Sequence, residues 1–249
     1  MEHTSAGARQ ADHRELWASK PVLREIYGDL YRRIAECCVV GTTIEVGGGS
    51  GNFKQFAPDV MSFDIVHEPW LDFVADAQAL PLRTESVSNI VMLDVLHHIQ
   101  YPIRFLREAA RVLKKGGRLV CIEPGISLIS GVLYRALHEE PVDMGVDPLR
   151  DGELDPSKDP YVGNQGIPTL LATKYRDQLE RLLPDMPLIQ TQRLSLFAYP
   201  LSGGFKKWTL LSARAARSLI RFERRLEPAL GALLAFRLLL TFERRPQQA

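Results

Sequence analysis

Five apolar runs in the first half of the chain each stop at a carboxylate: Glu45, Asp64, Asp76, Asp94 and Glu123. The first stands in TIEVGGGSGN (residues 43–52), with glycine at 47, 48, 49 and 51. Two adjacent histidines, His97 and His98, follow the fourth carboxylate. Glycine loses the most conformational freedom on ordering, so such a cluster implies left-handed backbone or close approach of a ligand. Carboxylates gathered on one rim favour a cationic ligand and repel a pyrophosphate. A histidine titrating near neutrality can take a proton from a hydroxyl.

The surrounding pattern says how these groups come together. Short β-rich runs at 42–46, 60–66, 73–75, 89–93 and 118–122 alternate with helical stretches. Buried strands alternating with helices imply a parallel sheet covered on both faces. Ligands of such sheets sit beyond the C-terminal strand ends, which is where all five carboxylates fall. Residues 14–38 have helical apolar spacing through Leu16, Leu23, Ile26, Leu30 and Ile34, divided by Pro21. A helix over 102–113 opens on proline and is closed by KKGG. From about 125 to 168 the chain is acidic and rich in proline and glycine, a long loop or lid. Helix returns over 169–183, and 188–196 alternates weakly as a late strand.

Bulk properties narrow the class. The chain has 249 residues, 45% hydrophobic and 24% charged, with a net charge of +1. That suits one globular domain and gives no overall polyanion-binding signature. The three cysteines, Cys37, Cys38 and Cys121, have neither zinc-site nor disulfide spacing. No metal is expected, and a reducing, cytoplasmic setting is. The N-terminal residues are polar and lack the apolar stretch of a signal peptide.

The glycine spacing separates two cofactors. A dinucleotide fingerprint G-x-G-x-x-G started at Gly47 requires glycine at 52, where the chain has Asn52. Glu45-x-Gly47-x-Gly49-x-Gly51 instead resembles the first motif of class I S-adenosylmethionine-dependent methyltransferases. DAQALPLRTESVSN (residues 76–89) resembles the pattern D-A-x-x-L-P-F-x-x-x-S-F-D of their type 11 subgroup, departing from it at Leu82 and Asn89. The likeness covers about residues 40–125. It implies an α/β fold: a Rossmann-like, mostly parallel seven-stranded sheet with helices on both faces. To this are added an irregular acceptor-side insertion and a C-terminal helical extension.

The resemblance assigns S-adenosylmethionine to Glu45, Gly47, Gly49, Gly51, Asp64, Asp76, Ala77, Asp94, Val95 and Leu96. Asp64 is expected to accept from both ribose hydroxyls, and Asp76 with Ala77 to read the adenine. His97 and His98 border the methyl group and are the catalytic candidates. Glu123, His138, Tyr161 and Asn164 are the acceptor-side candidates. The expected layout is a single domain over 1–249. It comprises N-terminal helices (1–40), the cofactor-binding core (41–125), the insertion (126–168), a late helix and strand (169–203) and a basic extension (204–249).

In that extension Arg214, Arg217, Arg221 and Arg224 or Arg225 fall at helical spacing, and a more apolar helix is expected after Pro228. Such a pair suits an anionic membrane surface, a packed cap on the chain's own core or a homodimer face. DPYVGNQGIPTLL, FAYPLSGGF and the extension are similar to bacterial methyltransferases of surface-polysaccharide clusters. This likeness implies methyl transfer to an oxygen, less readily a nitrogen, of a saccharide or lipid-linked small acceptor. The protein would then lie in the cytoplasm or at the inner face of the membrane. A non-catalytic subunit docked to a glycan-assembly complex is the alternative. Nucleic acid is not an expected partner, because the basic residues lie in an apolar segment without a stacking platform.

Overall fold

The computed structural model describes residues 6–245, with side chains from Gln10 onward. The expectations for residues 1–5 and 246–249 fall outside the described residues. Seven strands form one sheet: β1 (Thr43–Val46), β2 (Met61–Asp64), β3 (Phe73–Val74), β4 (Val87–Leu93), β5 (Leu113–Pro124), β6 (Leu188–Leu194) and β7 (Arg237–Glu243). Their order is β3-β2-β1-β4-β5-β7-β6. The first five are parallel, and β7 runs antiparallel between β5 and β6. The strand order reverses between β1 and β4, so the crevice for a ligand opens beyond their C-terminal ends.

Side-chain alternation divides the core into two layers. Ile44, Val46, Ile90, Met92, Leu119 and Cys121 pack with α3 (Pro102–Val112), α5 (Ile167–Ala172) and α6 (Arg176–Leu182). Val91, Val120, Ile122 and Leu239 pack with α2 (Pro21–Cys37), α7 (Ala198–Ser202) and α8 (Ala213–Leu234). Leading into α2 is α1 (Ala6–Ser19); α4 (Leu128–Leu137) follows β5. Between β1 and β2 the only helical element is a 3-10 turn, Phe53–Gln55. An aromatic cluster holds that link: Tyr31 lies 4.9 Å from Phe53 and 5.1 Å from Phe56, ring to ring.

Three expectations change. The stretch 204–249 is not a helical extension throughout. Its apolar run 235–242 holds β7, inserted between two other strands, because a short continuous apolar run fits a buried strand as well as a helix. Pro228 does not split α8. The helix runs through it, held to α2 by Arg33 and Glu227, which meet in two hydrogen bonds of 2.9 Å. KKGG does more than stop α3. It forms a bulge at the start of β5, where pairing passes from Val87–Leu113 to Asn89–Arg118.

The departure at Leu82 has a local explanation; the pattern's final Asp, counted from Asp76, falls on Ser88, so Asn89 stands one position beyond it and is explained by its own contacts. Leu82 packs against the larger core. Asn89 is fully buried; its side chain accepts from Val39 N at 2.8 Å and donates to Val39 O at 2.8 Å and Thr43 Oγ1 at 3.0 Å. An ionised aspartate has no donor for the last two, so the amide suits this junction.

Candidate active site

The glycine loop leaves β1 into left-handed backbone. Gly47, Gly49 and Gly51 have φ of 71°, 45° and 73°, whereas Gly48 does not. The x-G-x-G-x-G spacing is therefore the alternation of left-handed residues along the loop. At Gly47 there is also no room: a Cβ would lie 2.3 Å from Val95 Cγ2. Asn52 has φ of −72° and ties its side chain to Ser50 Oγ at 2.8 Å. The loop thus ends in the short turn rather than in a helix whose N-terminus could hold a pyrophosphate.

Three carboxylates line the β1–β3 side. Glu45 is buried and accepts from Ser62 Oγ at 2.5 Å. Burial, with Asp64 nearby, pushes its pKa up to about 8. Asp64 accepts from Gly49 N at 3.0 Å and Val66 N at 3.2 Å, and burial raises its pKa despite those amides. Asp76 accepts from Gln78 N at 2.8 Å, while Ala77 packs at the edge of the larger core. No basic side chain is paired with Glu45, Asp64 or Asp76 among the described residues.

Three residues close over the loop that sequence reasoning did not single out. Trp70 Nε1 donates to Gly49 O at 2.8 Å, and its ring lies against Gly51. Arg14 stacks on Trp70 at 4.2 Å and donates to Ser50 O at 2.8 Å. Gln10 donates to Tyr161 Oη at 3.0 Å, linking α1 to the insertion. The buried Gln10 Oε1 has no partner and lies beside Gly49. That orphaned acceptor, the left-handed loop and the unpaired carboxylates fit a ligand bearing ammonium and hydroxyl donors, as S-adenosylmethionine does.

The β4–β5 side is built differently. Asp94 has φ of +60° and forms an ion pair with Arg237 of β7. The Arg237 guanidinium stacks on Tyr199 at 4.1 Å. Glu123 is completely buried and accepts from Val95 N at 2.9 Å, Leu96 N at 2.8 Å and His97 Nδ1 at 2.6 Å. It braces the turn after β4 and does not face an acceptor. His97 is clamped on its other side by Glu140, Nε2 to Oε2 3.1 Å. The two glutamates outweigh burial and raise its pKa to about 9. His98 goes the other way, to about 4, through burial and the neighbouring His97 charge.

The acceptor-side candidates fare unevenly. Asn164 is a stitch within the insertion: it accepts from Asp143 N at 2.9 Å and Gly166 N at 3.0 Å, and donates to Asp143 O at 2.9 Å. His138 is exposed and its Nδ1 meets Gln165 Nε2 at 2.7 Å. Tyr161 lies between the insertion and α1. Glu140 and Arg237 were missed. An arginine inside an apolar strand was the available signal for a buried carboxylate partner, whereas Glu140 stands in an acidic run that gave none.

Residues 44–121 match the family model described as a methyltransferase domain. That match spans less than half of the chain and takes in the glycine loop and the parallel strands from β1 into β5. Over 50 residues the chain is 48% identical to "Ubiquinone/menaquinone biosynthesis C-methyltransferase UbiE" of Acidiphilium cryptum (strain JF-5), a match spanning 20% of this chain and only 20% of that relative. The methyltransferase fold recurs in solved structures. A Haloferax volcanii complex of the Trm112 methyltransferase activator and a putative methyltransferase superposes with a TM-score of 0.55 at 14% identity, covering 99% of this chain and 100% of the other. A SAM-dependent methyltransferase from Archaeoglobus fulgidus gives 0.53 at 13% identity, covering 89% and 94%. These structures are similar to this chain in fold.

Proposed function

We propose that this chain transfers the methyl group of S-adenosylmethionine to an oxygen, less readily a nitrogen, of a saccharide or lipid-linked small acceptor. The observation that carries the reading is the loop of alternating left-handed glycines tied by Gly49 N to Asp64, with unpaired carboxylates around it. When bound, the cofactor supplies an electrophilic methyl group on a sulfonium. Asp64 orients the ribose, Asp76 and Ala77 hold the adenine, and Glu45 ionises beside a cation. Val95 and Leu96, fixed by the buried Glu123, form a rigid wall beside the reacting centre. Such positioning supplies much of the rate of an in-line displacement. His97, held between Glu123 and Glu140 with its pKa raised to about 9, is not the base; His98, lowered to about 4, is neutral at pH 7 and is the remaining imidazole on the turn.

The outer surface supports a lipid-linked acceptor. Leu128, Val132 and Leu137 of α4 are more than half exposed, next to Lys206, whose Nζ donates to Leu137 O. Trp208 and Leu210 are exposed nearby in the chain. An apolar patch with lysines suits an isoprenoid tail or an anionic membrane surface at the cytoplasmic face. Among the described residues no helix is long and apolar enough to cross a membrane. The basic face of α8 is partly used internally, through Arg217–Glu25 and Arg224–Asp29, which favours the packed-cap reading of that helix over a membrane or dimer face. The non-catalytic alternative loses a motive, since Asn89 is explained by packing.

Incubating the protein with methyl-labelled S-adenosylmethionine and lipid-linked glycan extracts tests the reading. Label recovered as an O-methyl sugar is expected. Label on carbon would move the acceptor towards the chemistry named for the Acidiphilium relative, and the non-catalytic reading would stand only if no acceptor tested yielded S-adenosylhomocysteine.

A further inference from the structure

The insertion delivers one carboxylate, Glu140, to the histidine pair at the end of β4. Glu140 Oε2 lies 3.1 Å from His97 Nε2, and Glu140 Oε1 lies 3.7 Å from His98 Nε2. One ligand atom from each of the three residues falls within 4.8 Å of the others. The two rings stand 4.1 Å apart, tilted by 39°.

Both rings are fixed so that Nε2 is the available atom. Glu123 takes the Nδ1 proton of His97 from behind at 2.6 Å. A carboxylate on the far nitrogen of an imidazole is the usual second support of a metal-bound histidine. Gly163 covers Nδ1 of His98: a Cβ there would come within 2.7 Å of that nitrogen and 3.0 Å of His97 Cδ2. His98 Nδ1 is accordingly buried without a partner. Two imidazoles and one carboxylate meet on an accessible side, since His98 and Glu140 keep 19% and 21% of their side-chain surface.

We propose that His97, His98 and Glu140 bind a divalent first-row transition ion, of which Zn2+ is the probe, with Glu123 orienting His97. Two imidazole nitrogens and one carboxylate select Zn2+, Mn2+ or Fe2+ over the oxygen-preferring Mg2+ and Ca2+, and three protein ligands leave a position open. The ion takes the place of the proton between His97 Nε2 and Glu140, which passes to solvent. Local charge favours it. Glu123 and Glu140 contribute two negative charges, against one lysine held on the same turn, Lys158, whose Nζ donates to His98 O at 2.7 Å and Val162 O at 2.9 Å. A bound ion would tether the insertion to the β4 turn. The site is read by metal binding alone, and so stands or falls apart from methyl transfer.

The test is calorimetric titration of the untagged full chain, stripped with chelator, against Zn2+ and Mg2+. One equivalent of Zn2+ should bind and Mg2+ should not. His98→Ala and Glu140→Gln should each weaken Zn2+ by about tenfold or more. Serine in place of Cys37 and Cys38 should leave it unchanged. Absence of saturable one-equivalent binding overturns the proposal, as does Zn2+ affinity untouched in Glu140→Gln. That variant keeps side-chain volume at a partly exposed position, so it decides the matter even should His98→Ala fail to fold. S-adenosylhomocysteine titrated into the same stripped protein reports on the cofactor reading separately.

Discussion

The carboxylates at the strand ends divide at the point where the strand order reverses. Glu45, Asp64 and Asp76, on the β1–β3 side, meet hydroxyls and backbone amides and no cation. Asp94 and Glu123, on the β4–β5 side, are bound to Arg237 and His97. Residue type and strand position are the same. What differs is the neighbourhood: β7 brings an arginine and the turn after β4 a histidine, whereas β2 and β3 end at an open edge. A carboxylate left unpaired beside a glycine loop awaits a donor-rich ligand; one paired in the interior shapes a wall. On the proposed function the rim is two devices, one to hold the cofactor and one to keep the acceptor side rigid.

The comparison is open to attack first through the paired acids. Glu123→Ala should leave two buried amides and a protonated His97 without their acceptor. Breaking such a buried pair costs about 3–5 kcal/mol, and thermal unfolding should fall by roughly 6–20 °C for a domain of this size. A change within a degree or two would show that Glu123 is not structural. Arg237→Met should destabilise by a similar or smaller amount by stranding Asp94, and adding Asp94→Asn should recover much of the loss, measured as a double-mutant cycle in denaturant.

A smaller effect is expected from pH. The folded pKa of His97, about 9, stands above its unfolded value near 6.5. Its contribution to stability is therefore complete below about pH 6.5 and lost as pH rises towards 9. His98, lowered to about 4, contributes above its unfolded value and loses that contribution as pH falls from about 6.5 to 4. Denaturant unfolding across pH 6.5–9 should show declining stability that His97→Gln flattens; an equal slope in that variant would assign the dependence elsewhere. The smallest effect concerns the outer surface. Leu128→Ser with Val132→Ser should reduce pelleting with anionic liposomes a few-fold without changing thermal stability, and equal pelleting would remove the α4 patch from the account.

Much of this division was legible before the structure. Alternation of glycines in 47–51, proline at the start of α3 and five apolar runs ending in acids are local signals, and local signals specify strands, turns and strand ends. The partners of those acids come from far away in the chain. Arg237 lies 143 residues from Asp94, and no spacing rule links them. The same limit explains β7. LLLTF packs as a strand because a slot between β5 and β6 awaits it, and a continuous apolar run carries no period that distinguishes strand from helix. Asn89 was visible as a polar residue opening an apolar run, yet its reason, Val39, is a contact across a helix-to-strand junction. Glu140 stood unmarked among neighbouring acids until the insertion folded it onto the histidines.

The division of the rim is tested most directly by titrating S-adenosylhomocysteine into Asp64→Ala and Glu123→Gln beside the unmodified chain, with circular dichroism as the control for folding. Asp64→Ala should stay folded and lose binding by a hundredfold or more, about 3 kcal/mol. Glu123→Gln should lower the unfolding temperature while the folded fraction binds within a few-fold of the unmodified chain. Undiminished binding in Asp64→Ala would contradict the account at its centre.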